Sequence, residues 1–514
     1  MKFYKPLVAV LVALILFFAL ARLREQGAER DAHSTLRMQL STEPVTLDYS
    51  LAEDGTSFRV LSALMVGLVA YDRDYNIQMK IAESMERLDG GKRYRFKLRP
   101  WKWSDGKEVS VGDFLFAFQR TLEPGTPSKL ADLLFFIKNA RAYKRGEIKD
   151  FSQVGISSPA ANVLEFTLDA PVSFFPHVLT LPVGYPQREG TKKMVTTGPY
   201  QMTRWLHDQR IEIEQNPFYP DFSPTAARRA VFQIVPEEAT ALNLFENNQL
   251  DVLFKVPSFD VARLRKQQLV YDYPYFATYY IAFDQRQAPW GDRKARLAVA
   301  QALNRRAIVD ALGGLEQEAS SWIPVGVPAH NAALGVKHDV AQAKKNWLHS
   351  SAPDRQRLVM GYDTSFRNQS VIERIQADLK EVLDVQLQLR NRDWKTYLNE
   401  LSHETPPLYR FGWLSPFVDP YASLVVFQSD NPNNYTGWKN KTYDELLERI
   451  AALESRDPKR QDLIDRAQRL LLEEAVTVVP IFHYVQTVIV SKRVKNFWVN
   501  GLGMVDYMSL SVED

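Results

Sequence analysis

Few side chains in this sequence are spaced for catalysis. No two histidines lie at i and i+4, so the helical spacing that places two imidazoles on one zinc ion is missing. The chain also contains no G-x-x-x-x-G-K-[ST] phosphate loop, no G-x-G-x-x-G and no G-x-S-x-G nucleophile elbow. Carboxylates are plentiful, but sequence alone does not bring two of them together. We therefore predict a protein that is not an enzyme and has neither a metal nor a cofactor; an exported hydrolase is the third-ranked function.

Composition narrows the possible partners. The chain has 514 residues, 45% hydrophobic and 24% charged, as expected of a folded globular protein. The absence of cysteine excludes disulfides, zinc-thiolate sites, thiol nucleophiles and a lipoprotein anchor. Net charge is +3, and Lys2 and Lys5 lie in an N-terminal leader, so the remaining body is nearly neutral. Nucleic-acid binding is therefore not predicted.

The N-terminus has the pattern of an export signal. Two lysines precede an uncharged apolar run over 6–21 that ends in Ala19-Leu20-Ala21, which is typical of a secretory signal. The run is nearly long enough to span a bilayer, and Arg22 and Arg24 disfavour cleavage. We predict a periplasmic protein, either free after cleavage or tethered to the inner membrane through this segment.

Periodicity predicts a mixed α/β fold. The proline-rich stretch 169–190 marks a boundary, and strand–helix–strand order after residue 358 indicates an α/β lobe. Strands are predicted at 35–40, 93–98, within 151–168, at 200–214, 231–235, 358–362, 385–389 and 476–490. Helices are predicted at 57–70, from Val111 behind a Ser110/Asp113 capping box, and at 238–248, 294–312, 369–383 and 458–474.

A set of short motifs follows in order along the body. They are E-P-V-T-L-D at 43–48, A-E-S-M-E with Asp89-Gly90, Y-R-F-K-L-R at 94–99, W-S-D-G at 103–106, Thr197-Gly198-Pro199-Tyr200, the helix Arg296 to Ile308, Trp394 to Leu398, and Gly412-Trp413 with Asp419-Pro420. Each is weak alone. The ordered set resembles the periplasmic oligopeptide- and dipeptide-binding proteins of ABC importers, solute-binding protein family 5.

This resemblance implies a two-lobed periplasmic-binding-protein fold with an extra subdomain inserted in the first lobe. The ligand would lie between the lobes, which close about crossover strands. The predicted divisions are a leader and linker at 1–33, a first lobe from 34–54, 180–272 and 477–514, an inserted subdomain at 55–179 and a second lobe at 273–476.

The resemblance also indicates where a peptide's amino end would bind. Members hold an extended peptide by backbone hydrogen bonds, and its charged ends need partners. The family's amine-binding aspartate, three residues after Trp413, is here Pro416, which has neither charge nor N–H. A tyrosine that some members use falls on Leu130. Asp419 matches the family's [DE]-P position.

Two interpretations of Pro416 stay open. In the first, the ligand lacks a free α-amine, as in a blocked peptide, a cell-wall fragment or another solute. Alternatively, another carboxylate supplies the charge, and Glu43 is the candidate. A third possibility is that the cleft has lost binding.

Other predicted site residues follow the family pattern more closely. Trp394 and Trp413 match tryptophans that flank the cleft, and packing between elements is their alternative role. Gly412 belongs to the same Gly-Trp motif. Arg410 matches an arginine that can meet a ligand carboxylate through its two-pronged guanidinium, and a structural ion pair is its alternative role.

We predict a monomeric receptor that delivers a peptide or peptide-like ligand to an inner-membrane ABC permease. A membrane-tethered sensor or adaptor is the alternative, together with a receptor for a non-peptide solute.

Overall fold

The computed structural model describes residues 35–52, 54–190, 194–255, 257–313, 315–352 and 357–513. The predicted leader over 1–33 lies outside these ranges. Within them, no helix has the length and apolar character needed to cross a membrane.

The strands follow the chain in this order: β1 (Thr35–Leu40), β2 (Val69–Tyr71), β3 (Ile77–Met79), β4 (Ala82–Leu88), β5 (Arg93–Leu98), β6 (Ile156–Ala160), β7 (Val163–Thr167), β8 (Tyr200–Leu206), β9 (Arg210–Gln215), β10 (Arg229–Ile234), β11 (Val252–Leu253), β12 (Val270–Phe283), β13 (Gln317–Glu318), β14 (Arg357–Asp363), β15 (Gln386–Arg392), β16 (Leu408–Leu414), β17 (Val478–Val490), β18 (Val494–Lys495) and β19 (Ser511–Val512).

The α-helices are α1 (Gly55–Leu64), α2 (Val111–Leu122), α3 (Ala140–Lys144), α4 (Phe175–Val178), α5 (Glu238–Glu246), α6 (Ser258–Lys266), α7 (Arg293–Ala302), α8 (Arg305–Ala311), α9 (Val340–Leu348), α10 (Phe366–Leu383), α11 (Trp394–His403), α12 (Pro420–Leu424), α13 (Lys441–Ala452) and α14 (Pro458–Arg469).

One continuous sheet joins the two lobes. Its order is β15-β14-β16-β12-β17-β11-β1-β10-β9-β8, with β13 pairing β17 as a branch. The long strands β12 and β17 pair antiparallel at its centre, from Val270 opposite Ile489 to Ala282 opposite Val478. Because β17 ends beside β11 and β12 ends beside β16, these two strands cross from one lobe to the other. The predicted two-lobed α/β fold is confirmed.

Each half of the sheet has its own apolar core. In the first lobe, alternate residues of β1 bury Leu36, Met38 and Leu40 completely beside Phe232 of the parallel neighbour β10. In the second lobe, the side chains of β12, β14 and β17 pack against α7, α8 and α10. The period-two spacing of Leu36, Met38 and Leu40 places all three on one face of β1.

A separate antiparallel sheet, β4-β5-β7-β6, lies within the segment predicted as the inserted subdomain. Its core is continuous with side chains of the second lobe. Phe174 stacks on Phe417 at 5.2 Å and on Tyr421 at 4.5 Å between ring centroids. The residues between this sheet and the second lobe thus contact the segment that contains Pro416. The exact domain boundaries stay a prediction.

Local signals set several boundaries as predicted. The Ser110/Asp113 capping box forms, and α2 begins at Val111. The Asp-Gly turn after Trp103 also forms. Gly106 has φ +84°, and the Trp103 N–H donates to Lys107 O at 2.8 Å.

Two predicted helices differ in extent. The 57–70 helix is α1, which ends at Leu64 because Met65 turns into extended backbone. The 294–312 helix is two helices, because Leu303 is extended with ψ 121° and the side chain of Asn304 then accepts the Ala307 N–H at 3.0 Å. The asparagine caps a new helix, a signal that apolar spacing does not reveal.

Candidate functional site

The exposed edge of β16 is the central feature of the site. On one side, β16 pairs antiparallel with β12 along its whole length, from Leu408 to Leu414. On the other side, it pairs with β14 only at Leu408 and Tyr409. No described strand pairs with that second edge beyond Tyr409, where the strand leaves the interior of the lobe.

The backbone groups on this edge can be assigned. The Arg410 carbonyl points towards it and accepts the Tyr397 hydroxyl at 2.7 Å. Because alternate residues of a strand direct N–H and C=O to the same edge, the groups of Gly412 and Leu414 point there too. Ser415 N–H points the other way and donates to Phe276 O at 2.8 Å. Gly412 and Leu414 therefore present donors and acceptors for an added strand.

Aromatic side chains flank the edge. Trp394, the first residue of α11, is 50% exposed and stacks on Phe411 with ring centroids 5.9 Å apart. Trp413 is half-buried, and its indole N–H donates to Ala422 O at 3.0 Å. Trp394 therefore offers a free apolar face, whereas Trp413 also holds α12 in place.

The crossover strands bring a tyrosine against Gly412. A Cβ at this position would lie 3.1 Å from the Tyr484 hydroxyl oxygen, so a larger residue here would require that hydroxyl to shift by a few tenths of an ångström. Tyr484 of β17 also contacts Tyr275 and Tyr279 of β12, with centroids 6.4 and 6.2 Å apart. The edge is therefore built directly on the strands that join the lobes.

Arg410 is already paired within the chain. Its residue is 6% exposed, and its guanidinium forms an ion pair with Asp363 at the end of β14. It also lies 5.3 Å from the Tyr279 ring centroid. Asp363 accepts a second hydrogen bond, from the Asn368 amide at 3.0 Å. The arginine predicted to meet a ligand carboxylate thus has a partner, although its Nε has none among the described residues.

A second arginine–carboxylate pair lies nearby and was not predicted. Arg367 of α10 pairs with Glu316 at 3.2 Å and lies 5.4 Å from the Tyr484 ring centroid. Glu316 also accepts the Val485 N–H at 2.9 Å. Burial raises the pKa of Glu316, against the opposing effects of Arg367 and this hydrogen bond. Sequence reasoning missed the pair because its members lie on different elements.

Pro416 lies in a packed loop between β16 and α12. Its neighbour Ser415 hydrogen-bonds Ser423 at 2.6 Å, and Phe417 stacks on Phe174. The next N–H, of Val418, donates to the hydroxyl of Tyr71 at 3.2 Å. Several contacts therefore hold the loop, and Pro416 itself contributes neither a charge nor a donor.

Asp419 has a structural environment. It is 2% exposed, and both carboxylate oxygens accept from Arg460 Nη2, at 2.7 and 2.9 Å. It also caps α12 by accepting the Tyr421 N–H at 2.9 Å. These contacts use the lone pairs that a ligand amine would need.

Glu43 lies in the first lobe, beside the β8–β9 hairpin. It accepts the Trp205 indole N–H at 2.7 Å and contacts His207 Nδ1 at 2.9 Å and Asp208 N at 3.3 Å. Slight burial acts to raise the pKa of Glu43, but these hydrogen bonds outweigh it and lower the pKa. Leu130, in a short 3-10 helix, is partly buried against the core beside the four-stranded sheet.

The predicted residues therefore separate into groups. Trp394, Arg410, Gly412 and Trp413 come together around the β16 edge, and Pro416 and Asp419 follow it. Glu43 and Leu130 belong to other parts of the molecule. A cavity of about 440 Å³ beside Tyr71 and Trp498 contains none of the predicted site residues.

Known proteins are similar to this chain in sequence and in architecture. A family model described as bacterial extracellular solute-binding proteins, family 5, matches residues 76–435. The dipeptide-binding protein DppE of Bacillus subtilis is 27% identical over 98% of this chain and 99% of its own length. The probable deoxycholate-binding periplasmic protein YgiS of Escherichia coli is 25% identical, with 86% of each chain covered.

A solved structure supports the fold. The murein tripeptide-binding protein MppA of Escherichia coli superposes with a TM-score of 0.78 at 23% identity, over 93% of this chain and 98% of that one. With the family match spanning most of the body, the chain belongs to the family 5 bacterial extracellular solute-binding proteins.

Proposed function

We propose that this protein is a periplasmic receptor that encloses a peptide or peptide-like ligand between its lobes and delivers it to an ABC importer. The observation that carries this proposal is the unpaired edge of β16, where Gly412 and Leu414 present N–H and C=O groups beside exposed Trp394. A peptide added to such an edge gains main-chain hydrogen bonds without a requirement for particular side chains.

The charges around the edge favour a ligand with neutral ends. Arg410 is paired with Asp363, and Arg367 is paired with Glu316. On the amine side, Asp419 is committed to Arg460. A free terminal charge enclosed here would lack a ready partner, at a cost of several kcal/mol.

Of the two interpretations of Pro416, this arrangement supports a ligand without a free α-amine. The alternative requires Glu43 to supply the charge, but that carboxylate already accepts hydrogen bonds from the β8–β9 hairpin. Blocked peptides and cell-wall peptides with modified ends are the ligands that fit best.

The comparisons support delivery to an importer. Relatives that cover nearly the whole chain are named as dipeptide-, oligopeptide- and murein-peptide-binding proteins. We infer that this chain also binds peptides for import, and that it does so as a monomer that docks on an inner-membrane permease.

The first experiment compares peptides whose ends are charged with peptides whose ends are blocked. The purified protein is heated with short peptides of one sequence that have a free or acetylated amino end and a free or amidated carboxyl end. A ligand at about 100 times its dissociation constant should add about 2.7 kcal/mol of stability. We expect the doubly blocked peptide to raise the midpoint most. Stabilisation only by free-amine peptides would contradict the neutral-end proposal, and no shift with any peptide would contradict a peptide ligand.

A matched pair of variants tests the edge itself. Leu414→Pro removes an N–H that points to the unpaired edge, whereas Leu414→Ala removes the side chain and keeps the N–H. Proline is tolerated at the outer edge of a sheet because no strand hydrogen bond is lost. We expect Leu414→Pro to weaken peptide binding about tenfold, since one hydrogen bond contributes roughly 0.5–1.5 kcal/mol, and Leu414→Ala to weaken it less. Equal affinities would place the ligand elsewhere.

A non-peptide solute is the second candidate. Exposed Trp394, stacked on Phe411, offers an apolar wall, and one relative is named as a probable deoxycholate-binding protein. A midpoint shift with deoxycholate but with no peptide would favour this candidate.

A further inference from the structure

A second cavity lies in the second lobe, on the other side of the crossover strands from Gly412. Successive residues of β17 point to opposite faces, so Tyr484 faces Gly412 while His483 lines this cavity. Its volume is about 420 Å³, and it is formed by the start of α8, β13 and the loop that follows β13. Its ionisable lining residues are Arg305, Arg306, Glu318, His330, Lys337, His338 and His483.

Arg305 is the deepest cation of this set. It is 7% exposed, and its Nε donates to Pro480 O at 2.7 Å. No described residue hydrogen-bonds its two terminal nitrogens or lies within ion-pair distance of them. Burial lowers the pKa of Arg305 to about 10, which still leaves it protonated at neutral pH. A buried cation with no carboxylate within ion-pair distance is costly to desolvate, so a bound anion would be stabilised here.

Lys337 adds a second cation. Lys337 is exposed, its ammonium donates to Ser320 Oγ at 2.7 Å and to the carbonyls of Ala332 at 2.9 Å and Leu334 at 3.4 Å, and no described carboxylate lies within ion-pair distance. Burial lowers the pKa of Lys337, and the charge of Arg305 lowers it further. The two cations therefore repel each other across the cavity, a repulsion that a bound anion would relieve.

The carboxylates around the cavity do not balance these charges. Glu318 lines it, and its charge acts to raise the pKa of both Arg305 and Lys337, but Glu318 is exposed on β13 and forms no ion pair with either cation. Glu473 lies close enough to influence Lys337 and accepts the Gly335 N–H at 2.8 Å. Arg306, at the rim, has its own partner in Asp310 at 3.1 Å.

We propose that this cavity binds a small divalent oxyanion, of the phosphate-monoester or dicarboxylate class. The free fork of Arg305 matches two oxygens of such a group, and Lys337 supplies a point charge. The volume falls within the range of small-molecule sites. The site is separate from the proposed peptide site, because it uses none of the groups on the β16 edge.

Calorimetric titration of the purified full chain, at constant ionic strength in chloride buffer, tests the proposal. The probes are inorganic phosphate, glycerol phosphate and malonate, each at millimolar concentrations. We expect saturable one-to-one binding. Preference for the two phosphates identifies a phosphoryl site, and equal binding of malonate identifies a site that recognises oxyanion charge alone. No saturable binding of any probe would overturn the proposal.

Three variants test whether the anion binds in this cavity. Lys337→Gln should weaken binding of the best probe at least tenfold, and Lys344→Gln, an exposed lysine of α9 outside the cavity, should leave it unchanged. Because Lys337 also holds backbone carbonyls, Arg306→Glu is a second test: it reverses a charge at the exposed rim and should weaken binding by a similar factor. Wild-type affinity in either folded cavity variant would overturn the proposal.

Discussion

Four arginines of the described second lobe are buried, and they differ in their partners. Arg296 has no described carboxylate partner, but its guanidinium donates to the backbone carbonyls of Trp290, Ala475 and Val476. Arg410, under the β16 edge, pairs with Asp363, and Arg460, under the following loop, pairs with Asp419. Arg305, lining the other cavity, has a backbone carbonyl as its partner. The difference teaches that the cations beside the β16 edge are balanced by carboxylates, which suits the neutral ligand proposed there, whereas the cavity keeps cations available.

The pairing of buried arginines with carboxylates has an energetic reason. Removing a charge from water costs several kcal/mol, and a partner with good hydrogen bonds offsets most of that cost. Asp419 has such a partner, since Arg460 Nη2 contacts both of its oxygens. A ligand amine that competed for Asp419 would leave Arg460 buried without a carboxylate partner, so Asp419 is not expected to take the amine-binding role that the family resemblance assigns to the position of Pro416.

The largest effect is expected from breaking this pair. Asp419→Asn leaves the Arg460 charge buried and uncompensated, and it should lower the free energy of unfolding by about 3–5 kcal/mol. The control is Asp310→Asn, which breaks the exposed Arg306 pair and should cost at most about 1 kcal/mol. Urea unfolding of both variants measures the difference. Equal costs would mean that burial does not distinguish the two pairs.

The next prediction concerns how the free energy of unfolding depends on pH through His483, which lines the cavity that contains Arg305 and Lys337. Burial, and then the neighbouring His330, lowers the pKa of His483 to about 3. The unfolded chain then binds a proton that the folded chain does not, so this contribution to stability is lost as the pH falls below about 6.5, by up to about 1.4 kcal/mol per pH unit.

His483→Gln should therefore flatten the stability profile between pH 7 and pH 4, and the exposed His349→Gln should not. Urea unfolding at a series of pH values measures both profiles. A His483→Gln profile parallel to the wild type would show that this histidine titrates normally in the folded protein.

The smallest effect is expected from removing the carboxylate that pairs with Arg410 beside the β16 edge. Asp363→Asn removes the partner of Arg410, which could then meet a ligand carboxylate. We expect the preference for free-carboxylate over amidated peptides to increase about tenfold, or about 1.4 kcal/mol. Asp430→Asn, an exposed carboxylate, is the control. An unchanged preference, measured by calorimetry, would mean that Arg410 does not reach the ligand.

The sequence predicted the fold well because its signals are local. Alternating residues marked β1 and β5, and the Ser110/Asp113 spacing located the start of α2. The ordered motifs indicated the two lobes. The break at Leu303 was missed because apolar spacing continues through it while the Asn304 cap interrupts the backbone.

The contacts within the candidate site could not be predicted, because they join residues that are distant in the sequence. Arg410 and Asp363 lie 47 positions apart, and Asp419 and Arg460 lie 41 apart. The free edge of β16 depends on where β14 stops pairing, which is a property of the sheet rather than of either strand. The cavity that contains Arg305 and Lys337 is likewise formed by α8, β13 and the loop after β13, and no single sequence motif includes all three.

Amide hydrogen exchange at residues 408–416, with and without a saturating blocked peptide, tests the central claim most directly. If the ligand adds a strand to β16, the Gly412 and Leu414 amides should become protected, while the Phe411 and Trp413 amides, already bonded to β12, change little. Ligand binding that leaves the Gly412 and Leu414 amides as fast to exchange as in the free protein would contradict the account.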